Sequence, residues 1–247
     1  MIKSLGLKGS KNARDLGFPR GIRMGQVIRS GNLSKLTSED MNFLADYGLT
    51  KVIDLRTDQE VKEKPDMKLA GVDYVHIPLL DESTAGITHE EGSDVYDRIP
   101  DIFDIYRGFV TEYTAGQLKK AVTEVAKTSG CVLIHCTEGK DRAGILSALL
   151  LYLAGADKKD MLKDYLYTNK VGKKRSRKYY WFVRIVRKSK RAADKVRLVY
   201  LADRRYLEAL IDEIEKKYDS VDYFIQDVIG IDDDLKARVK EKLSKGE

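Results

Sequence analysis

The run Cys131-Val132-Leu133-Ile134-His135 constrains this chain more than any other segment. It follows Ser129-Gly130 and lies between two stretches of helical periodicity. A short apolar run in that setting reads as a strand buried on both faces, and such strands belong to parallel sheets covered by helices. Downstream, Ile145, Leu146, Leu149, Leu150 and Leu153 recur at helical spacing, which predicts a helix over 142–154. The seven residues Cys136 to Arg142 therefore lead from a buried strand straight into a helix.

The remaining pattern supports the same fold class. Strands are expected at 26–29, 51–56 and 74–77, the last stopped by Pro78. A helix should start at Thr37 or Ser38 and stop at Gly48. Others are expected at 102–113, 116–127, 157–169, 176–193, 203–217, 220–229 and 233–243. Residues 81–100 are polar, contain Gly86, Gly92 and Pro100, and read as a loop. Strands alternating with helices imply an α/β fold, a central and mostly parallel sheet flanked by helices, with a helical C-terminal third. Residues 1–247 are read as a single domain.

No stretch approaches the ~18 to 20 apolar residues of a membrane span. Met1 to Arg20 has no apolar signal core, so a cytoplasmic address is expected, although secretion without a cleaved signal would leave no trace. The two cysteines, Cys131 and Cys136, would be ~16 Å apart along an extended chain. A disulfide needs Cα atoms within roughly 7 Å, so no bridge is expected, which suits a reducing compartment. Cys131 reads as a small buried hydrophobe.

Charge is concentrated. The chain has 45 Lys/Arg and 39 Asp/Glu, and residues 170–197 hold 13 of the former and only Asp194 of the latter. The rest is net acidic, which argues against nucleic acid as a general partner. The basic segment interleaves Tyr179, Tyr180, Trp181 and Phe182. It reads as an amphipathic helix, as a basic lid drawing in acidic substrates, or as a membrane-surface contact.

A loop from strand to helix N-terminus in an α/β fold is the usual place for an anion site, because backbone N–H groups converge there. Gly139 permits a backbone conformation that residues with a Cβ avoid. Arg142 offers a planar fork for two phosphate oxygens. Cys136 opens the loop, where the same amides, the helix dipole and Arg142 favour a nucleophilic thiolate. Attack on phosphorus would give a phosphocysteine, and an acid must protonate the leaving oxygen.

The signature His-Cys-x-x-Gly-Lys-Asp-Arg-x-Gly resembles that of a bacterial protein tyrosine phosphatase family with mycobacterial and Listeria members. Asn12-Ala13-Arg14-Asp15-Leu16-Gly17, Ile28-Arg29-Ser30-Gly31, Ile53-Asp54-Leu55-Arg56 with Glu60, and Ile77-Pro78-Leu79 are similar to further family motifs. So are Tyr206-Leu207-x-Ala209 and the segment from Tyr218 to Gly230. The resemblance implies a cysteine-phosphatase-like three-layer fold and tyrosine phosphatase activity without metal or other cofactor. It implies Cys136 as nucleophile, Arg142 as phosphate binder and Asp141 as general acid. Thr137, Glu138, Gly139, Lys140, Asp141 and Arg142 would form the phosphate cradle. It also implies a helical lid near 170–202.

Asp81 and Asp54 are rival acids, and Asp54 is also read as a salt-bridge partner of Arg14 or Arg56. His135 is read as a structural partner of the loop. Lys140 would add charge for phosphoinositides, or be merely solvated. Glu138 and Ala143 depart from the small residue and the hydroxyl that relatives carry there, and they favour phosphotyrosine over lipid substrates and slow release of the phosphoenzyme. Expected partners are phosphotyrosine proteins, small phosphate monoesters or phosphoinositides. Rival classes are a non-catalytic phosphate-binding module, a rhodanese-type sulfurtransferase and a basic membrane- or nucleic-acid-binding protein.

Overall fold

A computed structural model describes residues 1–81 and 101–245. Five strands form one sheet: β1 (Arg14–Asp15), β2 (Val27–Ser30), β3 (Leu49–Asp54), β4 (Asp73–His76) and β5 (Cys131–His135), in the order β1-β2-β5-β3-β4. β1 runs antiparallel to β2, and all other pairs are parallel. The expected α/β class holds, and so does the burial of Cys131–His135 on both faces: it is the middle strand, and all five of its residues are buried.

Side-chain alternation along β5 builds two cores. Val132 and Ile134 face a large core that includes Leu118, Val122, Leu146 and Leu150. Cys131 and Leu133 face a smaller one with Leu33, Leu36 and Leu44. Helices therefore cover both faces, which is why β5 is apolar throughout. The helix Arg142–Leu153 is buried nearly all round, with Ala143, Gly144, Leu146, Leu150 and Leu151 among its buried residues. Among the described residues, no helix is long and apolar enough to cross a membrane.

Several boundaries differ from the sequence reading. The expected helix 102–113 ends at Arg107, and the next begins at Glu112 because the Thr111 side chain accepts the Thr114 N–H. The expected helix 176–193 is two helices, Asn169–Val186 and Lys190–Tyr200. The chain reverses between them because Lys188 takes φ 50° and the Ser189 side chain caps the second helix at Ala192. Two short elements escaped the pattern: β1, and the helix Asp58–Glu63, opened by a Thr57–Glu60 capping box. The expected loop 81–100 lies outside the described residues, apart from Asp81.

Beyond the carboxyl ends of β3 and β5 sits a sealed ionic cluster. Asp54 is fully buried and accepts hydrogen bonds from Arg56 and from the Tyr74 hydroxyl. Arg56 also pairs with Asp66 at 2.8 Å, and His135 Nε2 lies 3.1 Å from Asp66. Burial alone would raise the Asp54 carboxyl, but His135 and Arg56 outweigh it and hold it at about 2. Its ordinary value is about 3.9, so the stability it lends is present above pH ~4 and lost as pH falls toward ~2. Urea unfolding should therefore show a shallower loss of stability between about pH 4 and 2 in Asp54→Asn than in wild type, and an identical slope would contradict this.

Candidate active site

The loop Cys136–Arg142 leaves the central strand at its carboxyl end, where ligands bind in open α/β sheets. Its shape is set by what holds its carbonyls. The Asn32 backbone N–H and side-chain amide both donate to Thr137 O, at 3.2 and 3.1 Å. The Asn12 amide donates to Glu138 O and, at 2.8 Å, to Gly139 O. The Arg29 guanidinium donates to Gly139 O at 2.9 Å and to Lys140 O at 2.7 Å. In a planar trans peptide the following N–H points opposite to the carbonyl. Four carbonyls tied outward therefore turn the amides of Glu138, Gly139, Lys140 and Asp141 toward the other side of the loop. This is the geometry of an anion cradle.

Gly139 is required here for two reasons. Its φ is 65°, and a Cβ would fall 2.4 Å from the Ser30 carbonyl oxygen. Behind the loop, Arg14 and Arg29 are completely buried, and both pair with Asp164. Burial would raise the Asp164 carboxyl, but the two guanidinium groups hold it below the ordinary carboxylate range. Burial also lowers Arg14 to about 10. The trio leaves one net positive charge at the back of the cradle.

At the other end, Arg142 forms a two-pronged ion pair with Glu60, whose Oε1 accepts Arg142 Nη2 at 2.8 Å. The Thr137 hydroxyl donates to the same carboxylate. Glu60 is itself fixed by the capping box, accepting the Thr57 N–H at 2.9 Å. Burial opposes the charge on Arg142, but Glu60, the sulfur of Cys136 and Asp141 secure it. Cys136 and Arg142 thus share one electrostatic environment, and Cys136 is almost wholly enclosed. Cys131 is different: burial first, then Asp15, pushes its thiol up to about 12, as befits an inert core residue.

Asp141 sits at the mouth of Arg142–Leu153 and makes no side-chain cap hydrogen bond. Tyr106, fully buried, donates to Asp141 Oδ1 and shares a hydrogen bond with the Tyr165 hydroxyl at 2.5 Å. Burial and the neighbouring Asp141 keep both tyrosines protonated. Lys140 is not solvated. It is buried, donates to Leu201 O, lies 3.4 Å from Asp141 Oδ1 and approaches the Tyr206 ring. Glu138 pairs with Arg175 of the helix Asn169–Val186, so its carboxylate is neutralised.

The rival acid Asp54 is corrected: it is sealed and ionised in the Arg56 cluster, so it cannot supply a proton. Arg56, not Arg14, is its partner. Asp81 is exposed at the edge of the described residues. Asp54, Asp66 and His135 have donor atoms within 4.8 Å of one another, as a metal site would. The Arg56 guanidinium already bridges both carboxylates, so the cluster's cation is its own arginine. Sequence reasoning gave no site role to Asn12, Arg29, Glu60, Tyr106 or Asp164. A charged residue in the apolar strand Val27-Ile28-Arg29-Ser30 was the one local signal of a buried partner.

These features are those of a cysteine-dependent phosphatase loop. The tyrosine phosphatase family pattern matches residues 5–245, and the chain belongs to that family, whose members hydrolyse phosphoric monoesters. It is 33% identical over 142 residues to a tyrosine-protein phosphatase of Nostoc commune, covering 56% of this chain and 46% of that one. A Cupriavidus necator protein that bears a tyrosine-protein phosphatase name is 29% identical over 235 residues, 90% of this chain and 82% of that one. The triple specificity protein phosphatase PtpB of Mycobacterium tuberculosis is 29% identical over 188 residues, 66% of this chain and 68% of that one. The family assignment sets aside the sulfurtransferase reading.

Removing the Asp164 charge leaves two buried arginines facing each other. Asp164→Asn should lower the unfolding free energy by about 3–5 kcal/mol, read by urea denaturation. A loss below about 1 kcal/mol would show that the trio does not hold the loop.

Proposed function

We propose that this chain hydrolyses phosphotyrosine through a phosphocysteine formed on Cys136. The observation that carries the reading is the outward tethering of the Thr137, Glu138, Gly139 and Lys140 carbonyls, which leaves four amides facing one anion between Cys136 and Arg142. The Cys136 thiolate attacks phosphorus while the P–O bond to the tyrosyl oxygen breaks. Asp141 gives its proton to that oxygen. The amides and Arg142 hold the equatorial oxygens throughout. Asp141, now a carboxylate, takes a proton from water, whose oxygen attacks phosphorus. The S–P bond breaks, the thiolate returns and inorganic phosphate leaves.

Tyr106 and Lys140 both approach Asp141 Oδ1, which leaves Oδ2 to carry the proton. Ala143 offers no hydroxyl beside the sulfur, so the departing thiolate in the second step relies on backbone donors and Arg142. Phosphotyrosine is favoured over phosphoinositides because the Lys140 ammonium is already engaged by Leu201 O and Asp141. The Arg175–Glu138 pair ties the helical hairpin to the loop and supports its reading as a lid. The two unbridged thiols favour the cytoplasm.

Two variants test this. Cys136→Ser should lose at least about 10³-fold in phosphate release from phosphotyrosine peptide and p-nitrophenyl phosphate, and unchanged release would sink the mechanism. Asp141→Asn should lose about 10²-fold or more on a substrate with a poor leaving group such as phenyl phosphate, and much less on p-nitrophenyl phosphate. Equal losses on the two would assign the proton to another group.

A further inference from the structure

The helices Asn169–Val186 and Lys190–Tyr200 form a hairpin with a core of its own. Val183, Ala192, Ala193 and Val196 are buried there, with Tyr179, Tyr180 and Tyr200 packed against them. Gly172 and Ser176 of the first helix are buried on the same side as Val183. Trp181 lies two residues from Val183, about 200° around the helix, and so on the opposite face.

From that face round one flank of the helix, through Ile185, Phe182 and Val186, the surface is not polar. Trp181 is 57% exposed, Phe182 54%, Ile185 70% and Val186 62%. Trp181 and Ile185 are four residues apart, as are Phe182 and Val186, so the four side chains form one contiguous stripe. A stripe of large apolar groups facing solvent marks an interaction surface.

Its surroundings are strongly cationic. The only acid within 170–197, Asp194, is paired with Lys190 at 2.8 Å. A groove of about 670 Å³ runs beside the stripe, lined by Lys170, Lys173, Lys174, Arg177 and Arg197. Trp181 belongs to both the groove and the stripe. A partner that fits must present dense negative charge with an apolar phase directly beneath it. A nucleic acid meets only the first requirement, and a second copy of the hairpin brings the same positive charge. An anionic bilayer meets both.

We propose that this hairpin docks on the surface of a membrane containing anionic lipids. Headgroup phosphates lie over Lys170, Lys173, Lys174 and Arg177, while Trp181, Phe182, Ile185 and Val186 enter the headgroup–acyl boundary. The hairpin base is joined to the Cys136 loop through Arg175–Glu138 and Lys140–Leu201. Docking therefore places the loop next to the membrane and favours substrates held there. The docking does not depend on the hydrolytic reading.

Trp181 is the sole tryptophan and reports its own environment. The full chain is mixed with vesicles of phosphatidylcholine alone, or with about a third phosphatidylglycerol. Phosphatidylglycerol is a phosphodiester, so capture by the phosphatase site plays no part, and Cys136→Ser should bind as wild type does. Expected are co-sedimentation and a blue shift of Trp181 emission with the anionic vesicles only, weakened by salt. The double variant Ile185→Ser/Val186→Ser should reduce partitioning about tenfold or more, and Lys173→Glu/Lys174→Glu should do likewise with unchanged circular-dichroism melting. Failure to bind anionic vesicles overturns the proposal. So does binding without a blue shift that both double variants retain. Binding to polyuridylic acid in the absence of vesicle binding also overturns it, and marks a nucleic-acid surface instead.

Discussion

Asp164 and the two arginines it holds are the constraint on which the rest of the site depends. A loop that gathers four amides onto an anion must send four carbonyls the other way, and each needs a donor. Arg29 supplies donors to two of them, at Gly139 and Lys140. A buried guanidinium is tolerable only when paired, and Asp164 pairs it while also fixing Arg14. Arg14 in turn donates to the Asn12 carbonyl and side chain, and the Asn12 amide reaches Glu138 and Gly139. The helix Lys158–Tyr167, β1, β2 and the loop are thereby locked into one polar unit.

A second ionic assembly plays the same part at the opposite end. Glu60 fixes Arg142 and Thr137, and a capping box fixes Glu60. In that pose Arg142 is held by a carboxylate rather than by a phosphate. Under the proposed mechanism an arriving phosphate dianion shares or takes over the fork, whose orientation Glu60 sets beforehand. The arrangement trades some affinity for geometry, which is the balance that phosphoryl transfer rewards.

What the sequence revealed follows from the range of each interaction. β5, the helix after it and Cys136–Arg142 were legible because strand burial, helical period and loop spacing are local signals. The break at Lys188–Ser189 was not, because a lysine at positive φ has no sequence signature and the flanking basic helix runs past it. Asp164 was not, because within Lys158–Tyr167 it reads like any surface acid. Its role exists only once Arg14 and Arg29 arrive from segments far away in the chain. Glu60 was visible as a motif residue, yet its contact with Arg142 is equally non-local. Lys140 was visible as a lysine in the loop, but its contacts with Leu201 O, Asp141 and the Tyr206 ring come from distant segments and packing.

Positive charge is arranged unevenly across the molecule. In front of the cradle Arg142 is balanced by Glu60, while the Arg14–Asp164–Arg29 trio behind keeps one net positive charge. Glu138 is paired with Arg175, and Lys140 lies beside Asp141. One net positive charge thus backs the loop, and the amides turned toward its other side add oriented partial charge. Most of the excess positive charge resides on the hairpin. Attraction over distance and recognition at contact are therefore carried by different parts of the fold. The first is screened by salt within about 10 Å, while the second, buried and fixed, is not. A substrate near an anionic surface would be met by the hairpin's charge and then selected by the loop's geometry.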